Sequence, residues 1–517
     1  MRIAIRVDAS RQIGTGHLRR CLSIAEALTT LGAEVRFVIR RLDEVGQAAF
    51  GASAFPVDWL SAPDGDRAPT RPDAPSHLEW AGVDQATDGA DTVESLRAWG
   101  PVLVIVDHYA FDARWHDQVR DGLACRMMAI DDLADRPLAV DPLLNANLAD
   151  HAQTYAGRLK AGTRVLGGPR FAILGEAYRS QPPYAFSPVV RSLGVFMGGT
   201  DPDGASARVL RDVRRAGFAG PVEIVSTSGN PYLPDLSAVC GADAAATLTL
   251  DLPDLAAFYA RHDLQIGGGG TANYERCRIG APGIAITLAA NQLAVVPQLA
   301  ALGALRVARL EDGPDWPGLR DAPLLADAVR ALIADPAARR DMSEKGRALV
   351  DGRGTERIAL CLMASTLKVR PAKLDDGEML HAWRDHPQTR AVSGNSAPIP
   401  LNGHMDWLAR KLDDAGCRLF VAEIGGTAVG SIRFDRQLNE AWEVSLYLDP
   451  DLTGLGLGRY LLQAGERAMC AEIGEPISFS ASVMPGNEAS ARLFTNAGYS
   501  GGPLRYAKQV AEQKSEP

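Results

Sequence analysis

The sequence predicts an α/β protein in which two doubly wound, parallel-sheet regions are followed by a smaller α+β domain. The chain has 517 residues, whereas one folding unit commonly contains about 100–200. Short apolar runs alternate with longer helical segments from residue 1 to about 345. After residue 366 the predicted strands follow one another closely, which is typical of antiparallel pairing. We therefore expect about three folding units.

Parallel strands are predicted throughout the first region. Apolar runs of four to seven residues that end in Gly or Asp and are separated by helices are typical of βα units. The runs are IAIRVD (3–8), VRFVI (35–39), VLVIVD (102–107), MMAID (127–131), SLGVFMG (192–198), VEIVST (222–227), LQIGG (264–268) and GIAITL (283–288). The proline-rich SQPPYAFSP interrupts the series at 180–188. This predicts domains at 1–182 and 183–350 with a cleft between them, and residues 62–91 are predicted to be a long surface connection.

The composition excludes several classes of function. The formal net charge is −9 and no run of Lys or Arg forms a basic stripe, so nucleic acid is not an expected partner. The seven cysteines are scattered without a CxxC pair, which predicts no metal site and favours a reducing cytoplasm. Residues 279–305 carry no charge, but Pro282, Asn291 and Pro297 interrupt them. They predict a strand, a loop and a helix, and we expect no membrane partner.

A glycine-containing loop follows the first strand and opens the first helix. Gly14 and Gly16 let the backbone approach a ligand closely, and unpaired amides at a helix start attract anions. His17 follows directly, and its imidazole can take a proton near neutral pH. The sequence leaves two interpretations of His17 open, a general base or a residue that caps the helix or contacts phosphate.

Two further glycine loops lie in the second half of this region. Gly198, Gly199, Thr200 and Asp201 end one strand, and the run from Gly267 to Thr271 ends another. We expect four successive glycines to form a backbone surface for a diphosphate. Glu275 follows one turn later and is predicted to accept from ribose hydroxyls, the alternative being an exposed helix charge. The chain has neither GxxxxGK[ST] nor GxGxxG after the first strand, which disfavours a P-loop kinase and an NAD enzyme.

Six blocks of the first region resemble, in order, the UDP-sugar hydrolases of the pseudaminic acid pathway. They are RVDASRQIGTGHLRRCLSIAEAL, VIVDHYAFDARW, AIDDLADRPLAVDPLLNANL, LGGPRFAIL, FMGGTDPDG and GGGGTANYERCRIGAPGIAITLAANQ. The resemblance covers residues 1–345 and implies a GT-B fold of two Rossmann-like domains, related to the MurG-type glycosyltransferases. It also implies inverting hydrolysis of a UDP-2,4-diacetamido-2,4,6-trideoxy-β-L-altropyranose.

The same resemblance implies roles for particular residues. It places the catalytic histidine on His17 and a cleft tyrosine on Tyr109. Substrate contacts fall on the loops containing Gly14, Gly16, Gly199, Gly269, Gly270 and Thr271, a ribose or uracil contact on Glu275, and sugar or phosphate contacts on Asn291 and Gln292. One departure is the sequence of the GGGGTANYE loop, in which relatives more often carry a serine-containing, aromatic variant.

Residues 366–510 resemble the GNAT acyltransferases. A strand is followed by LTGLGLGR and a helix, and a later block reads NEASARLFTNAGY. The first block resembles the family pattern [QR]xxGx[GA], which implies coenzyme A contacts at Thr453, Gly454, Gly456 and Gly458, although Thr453 stands where Gln or Arg is usual. The second block implies that Asn487 contacts the pantetheine arm.

Glu443, on the strand before this turn, is the candidate base for deprotonating an amine, its alternative being a strand-surface carboxylate. Phe494 stands where many relatives have a tyrosine that protonates the leaving thiolate. Tyr499 or water are the remaining candidates for this acid.

Together the two resemblances imply a bifunctional enzyme of pseudaminic acid biosynthesis. Its GNAT domain would use acetyl-CoA to acetylate the 4-amino group of a UDP-activated amino sugar, and its GT-B region would hydrolyse the product. No metal is expected. The alternatives are a MurG-like glycosyltransferase, the equivalent enzyme for another diacetamido sugar, and a regulatory protein that binds sugar nucleotides. The join at 350–366 is expected to be separable near residue 365, with Ile358–Met363 packing on the first region.

Overall fold

The computed structural model describes residues 1–51, 53–63, 74–147, 150–314, 316, 318–502 and 504–510. Backbone contacts divide the chain into two compact units. The larger unit comprises Arg2–Glu26 and Glu34–Glu356, and the smaller one comprises Met1, Ala27–Ala33 and the described part of Arg357–Pro517.

The first sheet of the larger unit is entirely parallel. Its strands are β1 (Arg2–Val7), β2 (Glu34–Arg40), β3 (Val57–Leu60), β4 (Leu103–Asp107), β5 (Arg126–Ile130), β6 (Leu143–Asn145) and β7 (Val165–Gly167). They lie in the order β3-β2-β1-β4-β5-β6-β7. The strand order reverses between β1 and β4, and ligands of open α/β sheets bind at the carboxyl ends of the strands at such a switch point.

The second sheet repeats this arrangement with parallel strands. Its strands are β8 (Leu193–Phe196), β9 (Val222–Ser226), β10 (Ala246–Leu250), β11 (Leu264–Gly268), β12 (Gly283–Ile286) and β13 (Arg306–Ala308). The order is β10-β9-β8-β11-β12-β13, so the second switch point lies between β8 and β11.

Helices connect the strands of both sheets. They are α1 (Gly16–Thr30), α2 (Glu44–Phe50), α3 (Gln85–Arg97), α4 (Ala113–Leu123), α5 (His151–Thr154), α6 (Glu176–Ser180), α7 (Ala205–Arg215), α8 (Leu233–Gly241), α9 (Ala256–Ala260), α10 (Ala272–Ile279), α11 (Val296–Ala301), α12 (Leu325–Ala334) and α13 (Pro336–Leu349). Short 3-10 helices lie at Leu78–Ala81, Pro169–Phe171, Pro202–Gly204 and Ala290–Ala294. Strands such as β4 are buried along their whole length, as expected for sheets covered on both faces.

The smaller unit contains a mixed sheet. Its strands are β14 (Lys368–Pro371), β15 (Cys417–Ile424), β16 (Thr427–Arg436), β17 (Trp442–Leu448), β18 (Ile477–Val483), β19 (Ser500–Gly502) and β20 (Leu504–Val510), in the order β14-β15-β16-β17-β18-β20-β19. Its helices are α14 (Gly354–Leu362), α15 (Gly377–Asp385), α16 (Pro387–Ala391), α17 (Leu401–Asp413), α18 (Leu457–Ile473) and α19 (Glu488–Asn496), with 3-10 turns at Ala364–Thr366, Leu374–Asp376 and Pro450–Leu452. Among the pairings of its described strands, only that of β17 with β18 is parallel.

The predicted fold class is confirmed, with two Rossmann-like parallel sheets followed by an α+β domain. The uncharged stretch 279–305 forms β12, a 3-10 turn and α11, as predicted. Among the described residues, no helix combines the length and the apolar character needed to cross a membrane.

The prediction that residues 62–91 form a surface connection is wrong for its described part after residue 73. A 3-10 turn and the start of α3 lie there, and Asp88 is completely buried. Its carboxylate accepts hydrogen bonds from Arg6, Arg40 and the indole of Trp115. The composition of the segment is polar, but these long-range partners neutralise Asp88 and make its burial possible.

Helix α14 makes hydrogen bonds within the smaller unit. Arg357 Nε donates to the carbonyl of Asp451 at 3.0 Å, and Cys361 Sγ lies 3.6 Å from that of Leu455. From Arg357 onward, this helix therefore belongs to the smaller unit. The packing of Ile358–Met363 on the first region stays a prediction.

Candidate active sites

The first glycine loop lies at the switch point of the first sheet. Val7 at the end of β1 pairs with Asp107 at the end of β4, and the loop from β1 leads into α1. Gly14 has φ +78°, a left-handed conformation that favours glycine. His17, in the first turn of α1, is thereby placed at the carboxyl edge of the sheet.

The side chains of His17 and Asp107 are directly hydrogen-bonded. The Nδ1 atom of His17 lies 2.7 Å from Oδ1 of Asp107. Arg20, one turn further along α1, donates from Nε to Oδ2 and from Nη2 to Oδ1, both at 2.5 Å. Burial by itself would raise the pKa of Asp107, but the charges of Arg20 and His17 hold it well below its usual range.

This arrangement fixes the imidazole tautomer of His17. Because Asp107 is ionised, Nδ1 carries the proton and donates it to the carboxylate, and Nε2 is left to accept a proton. Nη2 of Arg20 lies 3.1 Å from Nδ1, which follows from both nitrogens donating to the same oxygen. The pair can therefore act as a general base.

Aromatic rings surround His17. The ring of Tyr109 lies edge-on at 4.8 Å and that of Trp80 at 6.2 Å, between centroids. His77 lies 4.7 Å from Trp80 and 5.5 Å from Tyr109. The Tyr109 hydroxyl donates to Asp132, and burial followed by the Asp132 charge raises its pKa. Tyr109 is therefore held as a neutral phenol beside the imidazole.

Sequence analysis did not single out four of these side chains: Arg20, His77, Trp80 and Asp107. Asp107 carried a usable signal, since it ends the apolar strand VLVIVD at the edge where ligands bind. His77 and Trp80 come from the stretch that was interpreted as a surface connection.

The second switch point holds the other two glycine loops. Gly198 has φ +102°, and the carbonyl of Gly199 accepts from the Thr227 hydroxyl at 2.7 Å. Asp201 is buried and accepts the N–H of Ser206 at 2.9 Å. These contacts fix the loop after β8 beside the run of glycines that ends β11.

Close packing explains part of the run from Gly267 to Gly270, which the sequence analysis interpreted only as a surface for a diphosphate. A Cβ atom on Gly267 would lie 2.5 Å from the Arg276 guanidinium, and one on Gly269 would lie 2.6 Å from Val296. At Gly270 a Cβ atom would meet nothing within 4 Å. Gly270 and the exposed Thr271 are thus the members of the run that face open space.

The side chain of Gln292 holds this loop through hydrogen bonds with two backbone amides. Its Oε1 atom accepts the N–H of Gly269 at 3.2 Å and that of Leu288 at 2.8 Å. The amide of Gly269 is therefore already bonded and is not free for a phosphate. The side chain of Asn291 lies outside the described part of the structure.

Asn273 and Arg276 fix the other side of the loop. Asn273 donates to the carbonyl of Gly270 at 3.0 Å and accepts from Arg276, which also donates to the carbonyl of Gly268 at 3.3 Å. The side chain of Asn273 is thus engaged in hydrogen bonds within the loop.

Glu275 is partly buried rather than fully solvated. Burial raises its pKa, while hydrogen bonds from Tyr178 and Tyr259 and the charge of Arg19 act in the opposite direction. The Tyr259 hydroxyl lies 3.4 Å from Oε2. A carboxylate oriented by two phenols can accept from a ligand hydroxyl.

The carboxyl edges of the two sheets face each other within the larger unit. The hydroxyl of Tyr274, in α10, donates to Oδ1 of Asn147, which follows β6, at 3.0 Å. Arg19, two residues after His17, lies within electrostatic range of Glu275. The loop of His17 and the loop of Gly270 therefore border one cleft.

In the smaller unit, strands β17 and β18 separate along their length. They pair only at Trp442 with Phe479 and at Glu443 with Ser480. The carboxyl-terminal halves of these two described strands are therefore not joined, which leaves an opening beside the last paired residue. Glu443 lies at this point, and its Oε1 accepts from the Ser482 hydroxyl at 2.6 Å.

The turn after β17 presents backbone groups at the start of α18. Gly454 and Gly456 have φ of +82° and +78°, and a Cβ atom on Gly454 would meet nothing within 4 Å. Gly458 is in the first turn of the helix. The exposed amides of a helix start suit a pyrophosphate, so this turn fits coenzyme A. The Thr453 hydroxyl donates to the carbonyl of Pro450 at 3.0 Å.

The remaining predicted residues of this unit have structural contacts. Asn487 caps α19, because its Oδ1 accepts the N–H of Ser490 at 3.1 Å. Phe494 is buried against Tyr499, with ring centroids 5.0 Å apart. The Tyr499 hydroxyl donates to Glu466 at 2.8 Å, and burial followed by the Glu466 charge raises its pKa. Tyr499 is therefore a poor candidate for the acid that protonates a thiolate.

Residues 379–499 match the family model described as the acetyltransferase (GNAT) family. The C-terminal domain is a GNAT acetyltransferase domain. Among solved structures, the aminoglycoside acetyltransferase AAC(6')-Ib in complex with coenzyme A is 16% identical, with 28% of this chain and 94% of that chain covered and a TM-score of 0.25. Spermidine N-acetyltransferase from Vibrio cholerae, in complex with coenzyme A and spermine, is 15% identical, with 28% and 94% covered and a TM-score of 0.25.

MurG from Acinetobacter baumannii is also similar. It is 14% identical, with 69% of this chain and 98% of that chain covered and a TM-score of 0.47. No curated protein sequence matches the chain.

Proposed function

We propose that the chain is a bifunctional sugar-nucleotide enzyme of the pseudaminic acid pathway. Its GT-B region would hydrolyse UDP-2,4-diacetamido-2,4,6-trideoxy-β-L-altropyranose to UDP and the free sugar. Its GNAT domain would acetylate the 4-amino group of the precursor nucleotide. The observation that carries the hydrolase proposal is the His17–Asp107 pair, which lies at the switch point and borders the cleft lined by the second glycine loop.

In the hydrolytic step, Nε2 of His17 accepts a proton from a water molecule. The water oxygen attacks the anomeric carbon opposite the leaving group, a C–O bond forms, and the bond from that carbon to the UDP oxygen breaks with inversion. Asp107 stabilises the imidazolium that develops, as a carboxylate does for a catalytic histidine. UDP leaves as the anion, and His17 returns its proton to solvent.

The second half of the cleft would hold the nucleotide. The open backbone at Gly270 and Thr271, together with the start of α10, suits a diphosphate. Glu275, oriented by Tyr178 and Tyr259, would accept hydrogen bonds from ribose hydroxyls. Gln292 would act by holding the N–H of Gly269 rather than by contacting the sugar.

In the acetyltransferase domain, Glu443 would take a proton from the acceptor amine, directly or through water. Acetyl-CoA supplies the acetyl group as a thioester, with its pyrophosphate at the turn from Gly454 to Gly458. The amine nitrogen forms the new bond to the acetyl carbon as the C–S bond breaks. Because the Tyr499 hydroxyl donates its hydrogen bond to Glu466, solvent water would protonate the departing thiolate.

One incubation tests the proposal against its alternatives. The full chain is mixed with the diacetamido UDP-sugar and no acceptor, and the release of UDP is followed by chromatography. Release of UDP with free sugar of inverted anomeric configuration supports the hydrolase. Turnover only when a hydroxyl acceptor is added would identify a glycosyltransferase, and binding without turnover would identify a regulatory protein.

A further inference from the structure

A polar row runs along one face of the GNAT sheet. Glu443, Ser445 and Tyr447 alternate along β17 and therefore point to the same face. The strand register places Asp435, Arg433 and Ser431 opposite them on β16. Tyr447 packs against the apolar cluster that α15 and α17 contribute. An acceptor whose amine reaches Glu443 can extend along this row toward the apolar cluster.

Two arginines converge at the Tyr447 end of the row. Arg384 from α15 and Arg433 from β16 both lie within electrostatic range of Tyr447. The guanidinium of Arg433 lies over the ring of Trp407 at 5.2 Å. Nη1 of Arg384 is buried, and it finds no hydrogen-bond partner among the described residues.

The neighbouring carboxylates neutralise the charge of this pair only in part. Asp435 is shared between Arg433, at 2.6 Å, and Lys411, at 2.8 Å. Asp385, next to Arg384 in the chain, accepts the N–H of Ile399 at 2.7 Å. Burial lowers the pKa of Arg384 and the charge of Arg433 lowers it further, against the effects of Tyr447 and Asp385.

A buried imidazole is the second group here with an unsatisfied hydrogen-bonding atom. His404, in α17, is 4% exposed, and its Nε2 has no hydrogen-bond partner within the described ranges. It lies 5.3 Å from Trp407 between ring centroids. Burial lowers its pKa, and the charges of His381 and Arg384 lower it further. A buried polar atom without a hydrogen-bond partner is costly, and its presence calls for an explanation such as a bound ion or ligand.

We propose that Arg384, Arg433 and His404 form an anion subsite of the acetyltransferase, which holds the phosphate groups of the amine acceptor. Phosphate oxygens suit guanidinium donors because they accept in pairs and carry charge. Ser445, opposite Arg433, is two strand positions or about 7 Å from Glu443. This spacing leaves room for a sugar ring between the phosphate and the reacting amine. The inference rests on the proposed acetylation of a sugar nucleotide and adds the residues that select its phosphate.

Calorimetry tests the subsite without depending on catalysis. Inorganic pyrophosphate is titrated into the full chain, into Arg384→Gln and into Arg410→Gln, which alters an exposed arginine of α17. We expect a binding event in the wild type and in Arg410→Gln that weakens at least tenfold in Arg384→Gln. Arg384→Lys, which keeps the charge but loses the paired donors, should be intermediate. Identical isotherms for all variants would overturn the proposal.

Steady-state acetylation then tests selectivity. The acceptors are the UDP-linked 4-amino sugar and the same amino sugar without its nucleotide. Arg384→Gln should raise KM for the UDP-linked acceptor about tenfold or more, with KM for acetyl-CoA and kcat/KM for the free sugar unchanged. An equal loss for both acceptors would show a structural role and contradict the subsite.

The two tests separate the inference from the proposed function. If the wild type acetylates neither sugar, the proposed substrate is wrong, while the calorimetry still decides the anion subsite. If circular dichroism shows that Arg384→Gln does not fold, Arg384→Lys takes its place in both tests, and unchanged pyrophosphate affinity in that variant would overturn the proposal.

Discussion

Asp107 accepts the Nδ1 proton of His17 at 2.7 Å, although the two residues are 90 positions apart in the chain. The contact exists because β1 and β4 are adjacent parallel strands whose carboxyl ends coincide. It orients the imidazole of His17, which follows directly after a glycine loop.

Replacing Asp107 with Asn should slow UDP release by about 10²–10⁴-fold, because the amide does not enforce the tautomer with a free Nε2. The affinity for UDP should change little. Steady-state assays and calorimetry measure the two quantities. Asp121→Asn, at an exposed position of α4, serves as the control. Near-normal turnover of Asp107→Asn would mean that the pair is structural.

His17→Ala should release UDP ~10²–10⁴-fold more slowly than the wild type, because removal of a general base affects the chemical step. The variant should retain most of its affinity for the nucleotide. Single-turnover measurement with the acetylated UDP-sugar checks this. If the variant turns over near the wild-type rate, another residue must be the base.

Glu275→Ala should weaken UDP binding by roughly 1.5–3 kcal/mol, the usual contribution of a hydrogen bond to a charged group. Titration calorimetry with UDP and then with deoxy-UDP tests the ribose contact. The variant should bind both nucleotides with similar affinity, whereas the wild type should prefer UDP. Unchanged affinity for UDP in the variant would return Glu275 to a purely structural role beside its two tyrosines.

The glycine run offers a matched pair of substitutions. Gly269→Ala should destabilise the fold by about 1–3 kcal/mol, because its Cβ atom would overlap Val296 and the Gln292 side chain. Gly270→Ala adds the same atom into open space and should leave the unfolding temperature nearly unchanged. Thermal unfolding without ligand compares them. Equal destabilisation would show that backbone freedom, rather than packing, governs both positions.

The domain division predicts that each activity survives in a fragment. Residues 1–365 should hydrolyse the acetylated nucleotide without acetyl-CoA, and residues 366–517 should bind coenzyme A and acetylate the amino-sugar nucleotide. Helix α14 contacts Asp451 and Leu455, beside the turn from Gly454 to Gly458. A fragment that begins at Gly354 should therefore be more stable than one that begins at residue 366. Two folded fragments that are inactive apart would contradict the two-enzyme proposal.

The sequence by itself determined the strands, the glycine loops and the division into α/β and α+β regions. Apolar runs such as LQIGG and VRFVI form strands that contain the predicted residues, because burial on a sheet depends on local periodicity. His17, Gly270 and Glu275 could be placed near the carboxyl edges of strands for the same reason.

Only the tertiary structure decided which side chains meet there. The pairing of His17 with Asp107, the bond between Gln292 and Gly269, and the burial of Asp88 join residues 23 to 90 positions apart. Such contacts depend on strand order and loop paths, which local periodicity does not encode. The unfilled nitrogens of Arg384 and His404 likewise became visible only when packing showed that no described neighbour satisfies them.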